Sequence, residues 1–167
     1  AYINLGELNV SPNLTFASWV RFYDIFLDNT KASDRRSWAR VFDAQTVATS
    51  GGNNDSIFFA RSGTTSNLSL RVAGTGITTN GILQKDSATS NGWIHLAFTL
   101  EEETSGDVTA RVYVDGSQVN AQTGIDISSL SAGVFEQAYI GRNTNESTSD
   151  RSFNGQLSDI ILTNSVY

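Results

Sequence analysis

The 167-residue chain predicts an all-β fold, an antiparallel sandwich, on three observations. Apolar residues alternate with polar ones at period two, turn-forming Gly and Asn pairs recur at short intervals, and no window sustains a helical period. Many short strands, a single proline and no helix make a two-layer β-protein.

Each element follows from its own pattern. Phe16, Val20 and Phe22 alternate with Trp19 and Arg21 in an early strand. Trp38-Ala39-Arg40-Val41-Phe42-Asp43 leads through a Gly51-Gly52 loop into Asn54-Asp55-Ser56-Ile57-Phe58-Phe59. Leu68, Leu70 and Val72 alternate with Ser69 and Arg71, the half-buried signature. Ile94, Leu96, Phe98 and Leu100 share one face, opposite Trp93, His95, Ala97 and Thr99. Val108, Ala110, Val112 and Val114 repeat the pattern, and Asp115-Gly116 then marks a tight hairpin. Ile127 to Leu130 is the one stretch suited to a short helical turn. Strand parity predicts a core of Trp93, Ile94, Leu96, Phe98, Val112, Val114, Ile140, Ile160 and Leu162 between two sheets.

Composition removes several function classes. Cysteine is absent, so disulfides and thiolate metal sites are excluded. A net charge of −6 with eleven scattered Lys and Arg speaks against nucleic acid, which needs a basic patch. No apolar run approaches the roughly 20 residues that span a bilayer, so membrane insertion is not expected. Ser62 to Ser66 and Thr144 to Ser152 read as polar loops, and residues 1–167 as one domain without repeat or linker. Glu101-Glu102-Glu103 reads as a solvated hairpin tip. Low charge with abundant Ser, Thr, Asn and Gly suits an extracellular or cell- or virion-surface setting.

Several motifs carry a family resemblance. Asn91-Gly92-Trp93-Ile94-His95-Leu96-Ala97 is similar to a "G-x-W-x-H-hydrophobic-A" strand, and Ala110-Arg111-Val112-Tyr113-Val114-Asp115-Gly116 to an "L-Y-V-D-G" hairpin. Phe16-Ala17-Ser18-Trp19-Val20, Tyr139-Ile140-Gly141-Arg142 and Phe153-Asn154-Gly155-Gln156-Leu157-Ser158-Asp159-Ile160 complete the set. Together they resemble laminin-G-like modules of the concanavalin A-like lectin/glucanase superfamily. The resemblance implies an antiparallel jelly-roll β-sandwich, mostly a recognition scaffold, and a module of a larger protein. Tyr2-Ile3-Asn4-Leu5-Gly6 looks like the family's opening strand entered late, which implies an edge strand ahead of it. The missing disulfide departs from animal members and points to a bacterial, archaeal or viral source.

Catalysis is not expected. Nucleophilic triads need a base, and the single histidine, His95, sits in a core strand motif as a packed, hydrogen-bonded ring. Retaining glycanases of the superfamily carry an "E-x-D-x-x-E" strand, and none of the six glutamates here has that spacing.

Calcium is the expected cofactor, because loops over a sandwich supply carboxylate, amide and backbone oxygens. Asp159 shares parity with Leu157 and Ile161, so its carboxylate is expected to face apolar surroundings and need a metal or amide donors. The resemblance implies a structural calcium near this position. A second candidate joins Asp55 in the Gly51 to Ser56 loop with Asp43 across the hairpin; an ordinary β-turn has the same composition. Glycan contacts are expected from Asp43, Asn53, Asn54, Asp55, Arg142, Asn143 and Asn145, meeting at one end of the sandwich. Trp38 follows a charged run and suits either stacking on a sugar or burial between the sheets, burial being the expectation.

The reading is a non-catalytic, extracellular carbohydrate-binding and adhesion module, assisted by calcium. Its partners are cell-surface or matrix glycan and neighbouring modules of the same polypeptide. The alternatives are a structural or protein-binding spacer and an accessory domain of a glycan-active enzyme.

Overall fold

The computed structural model describes residues 2–9, 12–23, 38–46, 55–63, 65–83, 92–104, 106–130, 134–144 and 153–166. Among them, strands run in the order β1 (Ile3–Asn9), β2 (Leu14–Phe22), β3 (Arg40–Gln45), β4 (Ser56–Arg61), β5 (Leu68–Val72), β6 (Thr75–Thr79), β7 (Ile94–Thr104), β8 (Asp107–Val114), β9 (Ser117–Asp126), β10 (Val134–Ile140) and β11 (Gly155–Thr163). A 3₁₀ turn at Ser128–Leu130 falls inside the stretch predicted to turn. The strands form two antiparallel sheets, a six-stranded one ordered β1-β10-β3-β4-β5-β6 and a five-stranded one ordered β11-β2-β7-β8-β9. This is the sandwich the alternation predicts.

Parity places the core. On β2, Phe16, Val20 and Phe22 are buried while Trp19 is exposed. Beside them in the same sheet, Leu96, Phe98 and Leu100 are buried in the same core from β7. Phe16, Phe42 and Phe59 ring Phe98, with centroids 5.7, 5.9 and 5.4 Å from it. Aromatic rings at these separations add edge and offset attraction to the area they bury. Trp93, Ile94, Val114, Ile160 and Leu162 are only half-buried, because they sit near strand ends or on the outer strand β11. Trp93 lies just ahead of β7 and is not among the residues packed on the core.

The β8–β9 hairpin turns at Asp115-Gly116, both with positive φ (49° and 79°), as a two-residue turn of the primed type requires. Asp115 also fixes the turn to β7, since its Oδ1 accepts the His95 amide proton at 3.0 Å.

The last strand departs from simple alternation. Its pairing with β2 slips between Ser158 and Ile161, and Asp159 lies in the left-handed region at φ 50°. A bulge of this kind inserts a residue and reverses parity beyond it. Leu157, Ile160 and Leu162 therefore pack on the core, while Ile161 is exposed. The expectation of an apolar environment for Asp159 is corrected accordingly. Its carboxylate is exposed and accepts the Ser158 hydroxyl proton at 3.2 Å.

Candidate functional site

Antiparallel partners share a face, so register alone builds a row across the six-stranded sheet. Asn4 pairs with Tyr139, Tyr139 with Asp43, Asp43 with Phe58, Phe58 with Arg71, and Arg71 with Gly76. Phe42, Phe59 and Leu70 alternate with these residues into the core, so the row occupies the sheet's outer surface. Outward residues of a sandwich normally meet solvent. Here every residue of β3 and β4 is buried, so the middle of this outer face is covered and only its two ends are open.

A buried polar cluster fills the middle. Arg40 Nε lies 2.8 Å from Asp43 Oδ2, and its guanidinium carbon sits 3.5 Å from the Phe58 ring centroid. The Thr144 hydroxyl is 3.1 Å from Asp43 Oδ1 and 2.9 Å from Gln45 Oε1, so its one proton serves either oxygen. Burial pushes the Asp43 carboxyl up to about 6, against the opposing pull of the Arg40 charge and the Thr144 hydrogen bonds. Asp43 is thus an anchor for the 143–144 segment and is closed to a ligand as it stands.

One open end is built from aromatic rings and a guanidinium. Arg142 lies 4.7 Å from the Tyr2 ring centroid and 5.3 Å from that of Tyr139, and the two rings meet edge-to-face at 5.8 Å. Tyr2 is 53% exposed. At the other end Trp38 takes φ 58°, its amide proton bonded to the Gly63 carbonyl at 3.1 Å and its ring edge-on to Phe58 at 6.2 Å. Arg71 approaches the Trp38 ring to 5.8 Å. Trp38 is half-buried on the outer face, so the expectation of burial between the sheets is corrected.

The candidate residues are only partly assembled. Thr144 ties Asn143 and Arg142 to Asp43, and Asn143 is itself buried. Asp55 reaches the same hairpin through its carbonyl, which accepts the Thr46 amide proton at 3.0 Å. Asp159 lies apart, on the other sheet. Asn53, Asn54 and Asn145 lie outside the described residues. The ring of His95, half-buried, packs edge-on against Trp19 at 5.3 Å on the outer side of the five-stranded sheet.

Calcium fits neither Asp43 nor Asp159. Both Asp43 oxygens are engaged, and a guanidinium 2.8 Å away repels a divalent cation. Asp159 is exposed and bonded to the Ser158 hydroxyl, and among the described residues it offers a single carboxylate. Among the described residues no three His, Cys, Asp or Glu side chains converge on one point.

Tyr2, Tyr139, Arg71 and Gly76 were missed by sequence reasoning. Arg71 was visible as outward by parity, but its row mates depend on strand order, which local pattern does not contain.

The comparisons agree on architecture. The chain superposes on part of the NanB sialidase of Streptococcus pneumoniae with a TM-score of 0.66 at 14% identity, covering 99% of this chain and 26% of that one. It therefore spans about a quarter of the sialidase chain. The CBM40 of a Ruminococcus gnavus IT-sialidase, solved bound to α2,3 sialyllactose, superposes at 0.67 with 9% identity, covering 99% of this chain and 91% of that module. At such identities the likeness shows the fold alone. No curated protein sequence matches the chain. A laminin-G family model matches residues 1–166, and the chain belongs to that family, within the concanavalin A-like lectin/glucanase superfamily.

Proposed function

We propose that the chain is a non-catalytic carbohydrate-binding module whose glycan contacts lie at the open end formed by Tyr2, Tyr139 and Arg142. The observation that carries this reading is the Arg142 guanidinium held at 4.7 and 5.3 Å from two tyrosine rings, one of them exposed. A pyranose presents apolar C–H faces and directional hydroxyls, which match a ring face beside a multi-donor guanidinium. Stacking on the rings holds the arginine in place, so little side-chain freedom is lost on binding. The shared fold with a module solved bound to a sialylated sugar supports the same reading.

The non-catalytic part rests on residues. The sole histidine packs against Trp19, Glu101 is paired with Arg111 at 2.5 Å, and Asp43 is paired with Arg40. Calcium is proposed only for Asp55 with its neighbours Asn53 and Asn54, and the surface or extracellular setting and neighbouring modules belong to the same proposal.

A glycan array probed with the module in multivalent form, with and without chelator, tests the reading. Single-site affinity near the millimolar range, about −4 kcal/mol, is expected, with retention gained through repeated presentation. Tyr2→Ala and Arg142→Ala should each remove retention without lowering the melting temperature. An array without retention would instead favour the structural spacer, and release of reducing sugar from any retained glycan would defeat the non-catalytic assignment.

A further inference from the structure

We propose that the opposite open end of the row, at Trp38, Arg71 and Gly76, is a second subsite that takes a sugar carboxylate, as carried by uronates and sialates. This deepens the glycan-binding reading and rests on it.

Three observations converge there. Arg71 points outward from β5 and is half-buried, and among the described residues no carboxylate neutralises it. Arg40, one strand away, has Asp43 for that purpose. A guanidinium with no carboxylate partner among the described residues, set against an aromatic ring, can take one from a ligand, and its planar fork matches the two oxygens of a carboxylate.

Gly76 stands directly opposite Arg71 on the edge strand β6. A β-carbon there would lie 3.6 Å from the guanidinium, so any longer side chain would roof it. The glycine leaves that side of the arginine open to solvent. Its φ is not in the left-handed region, so backbone geometry does not demand glycine here.

Trp38 supplies the platform. Left-handed backbone is a genuine outlier for a bulky residue, and such strain persists only where neighbours over-determine it. The Gly63 carbonyl and the Phe58 ring do so, and the result sets the indole beside Arg71. A pyranose resting on the indole directs a ring carboxylate at the guanidinium. The chain's net charge of −6 repels anions at long range, but salt confines that field to roughly 8–10 Å, so the contact pair decides.

The test measures retention of four probes by the intact 167-residue chain on a multivalent support. These are a galacturonate oligosaccharide, its methyl ester, sialyllactose and lactose. At least tenfold stronger retention of a carboxylated probe than of its neutral counterpart is expected, weakening as salt rises. Which acidic probe leads distinguishes uronate from sialate. Arg71→Ala should erase the preference, and Gly76→Leu should reduce it by covering the guanidinium, both with unchanged melting temperature. Trp38→Ala should weaken both members of a pair. Equal retention of acid and ester, or an acid preference that survives Arg71→Ala, would overturn the subsite and leave the Tyr2 end standing. Loss on Trp19→Ala with Trp38→Ala unaffected would move binding to the other sheet and overturn it as well. Retention of none of the probes, with the array also empty, would remove both proposals.

Discussion

Asp43→Asn separates the two forces acting on the buried cluster. Asp43 is 2% exposed and paired with an equally buried Arg40. Burial opposes the ionised carboxylate, whereas the guanidinium and Thr144 favour it, and burial prevails, raising the pKa from 3.8 to about 6. The folded state therefore holds the proton more tightly than the unfolded chain. Between those two values the native state binds more protons, so stability falls as pH rises and levels off above the folded value. At about 1.4 kcal/mol per pKa unit, a rise of roughly two units makes this group's contribution to that fall about 3 kcal/mol. Asparagine carries no proton to lose, so other titrations cancel in the difference between wild type and variant. Urea unfolding at pH 3.5, 5 and 7 measures it. The wild type should lose about 3 kcal/mol relative to Asp43→Asn across that range. A difference that grows in favour of the wild type as pH rises would show that Arg40 outweighs burial, and would refute the reasoning.

Other expectations rest on packing and backbone. Phe98→Ala should cost about 3–5 kcal/mol in chemical unfolding, because it empties the centre of a four-ring cluster. Leu96→Ala, at a fully buried position, should cost about 2–5 kcal/mol, and an unchanged urea midpoint would exclude it from the core. Gly155→Ala should be far worse than an exposed glycine change, since its β-carbon would sit 1.9 Å from the Arg21 carbonyl oxygen; a thermal melt equal to the wild type would mean that β11 moves freely off β2. Calcium should raise the melting temperature only through the Asp55 loop, so Asp55→Ala, and not Asp159→Asn, should abolish any chelator-sensitive shift.

The sandwich was legible because its signals are local. Phe16, Val20 and Phe22 against Trp19, or Leu96 and Phe98 against His95, state their own faces through parity. The Asp115-Gly116 turn declares itself through residues that accept positive φ. The bulge at Asp159 was not legible, because nothing in Ser158-Asp159-Ile160 distinguishes an inserted residue from a paired one. Asp43 appeared as a rim ligand because Asn/Asp/Gly loops flank its hairpin. Its actual role needs Arg40 turned onto Phe58 and Thr144 brought from a hundred residues away, contacts that only sheet order creates. The Tyr2–Arg142–Tyr139 cluster joins residues more than 130 positions apart through β1 and β10, which no window can contain.

Sheet order also explains how one buried ion pair bears on recognition at a distance. A sandwich secures its stability on the inner faces, and a second buried layer outside β3 and β4 adds little that apolar residues could not supply, since buried pairs seldom outperform them. What Arg40, Asp43 and Thr144 do supply is direction. They pin the 143–144 segment to the sheet, and Arg142 is the residue that enters that segment between the two tyrosines. Loosening the pin should therefore displace Arg142 while leaving Arg71, held on its own strand, untouched. Asp43→Asn should accordingly weaken whatever binds at the tyrosine end and spare the carboxylate preference at Arg71. Equal effects at both ends would mean that the sheet responds as a whole and that the cluster positions nothing in particular.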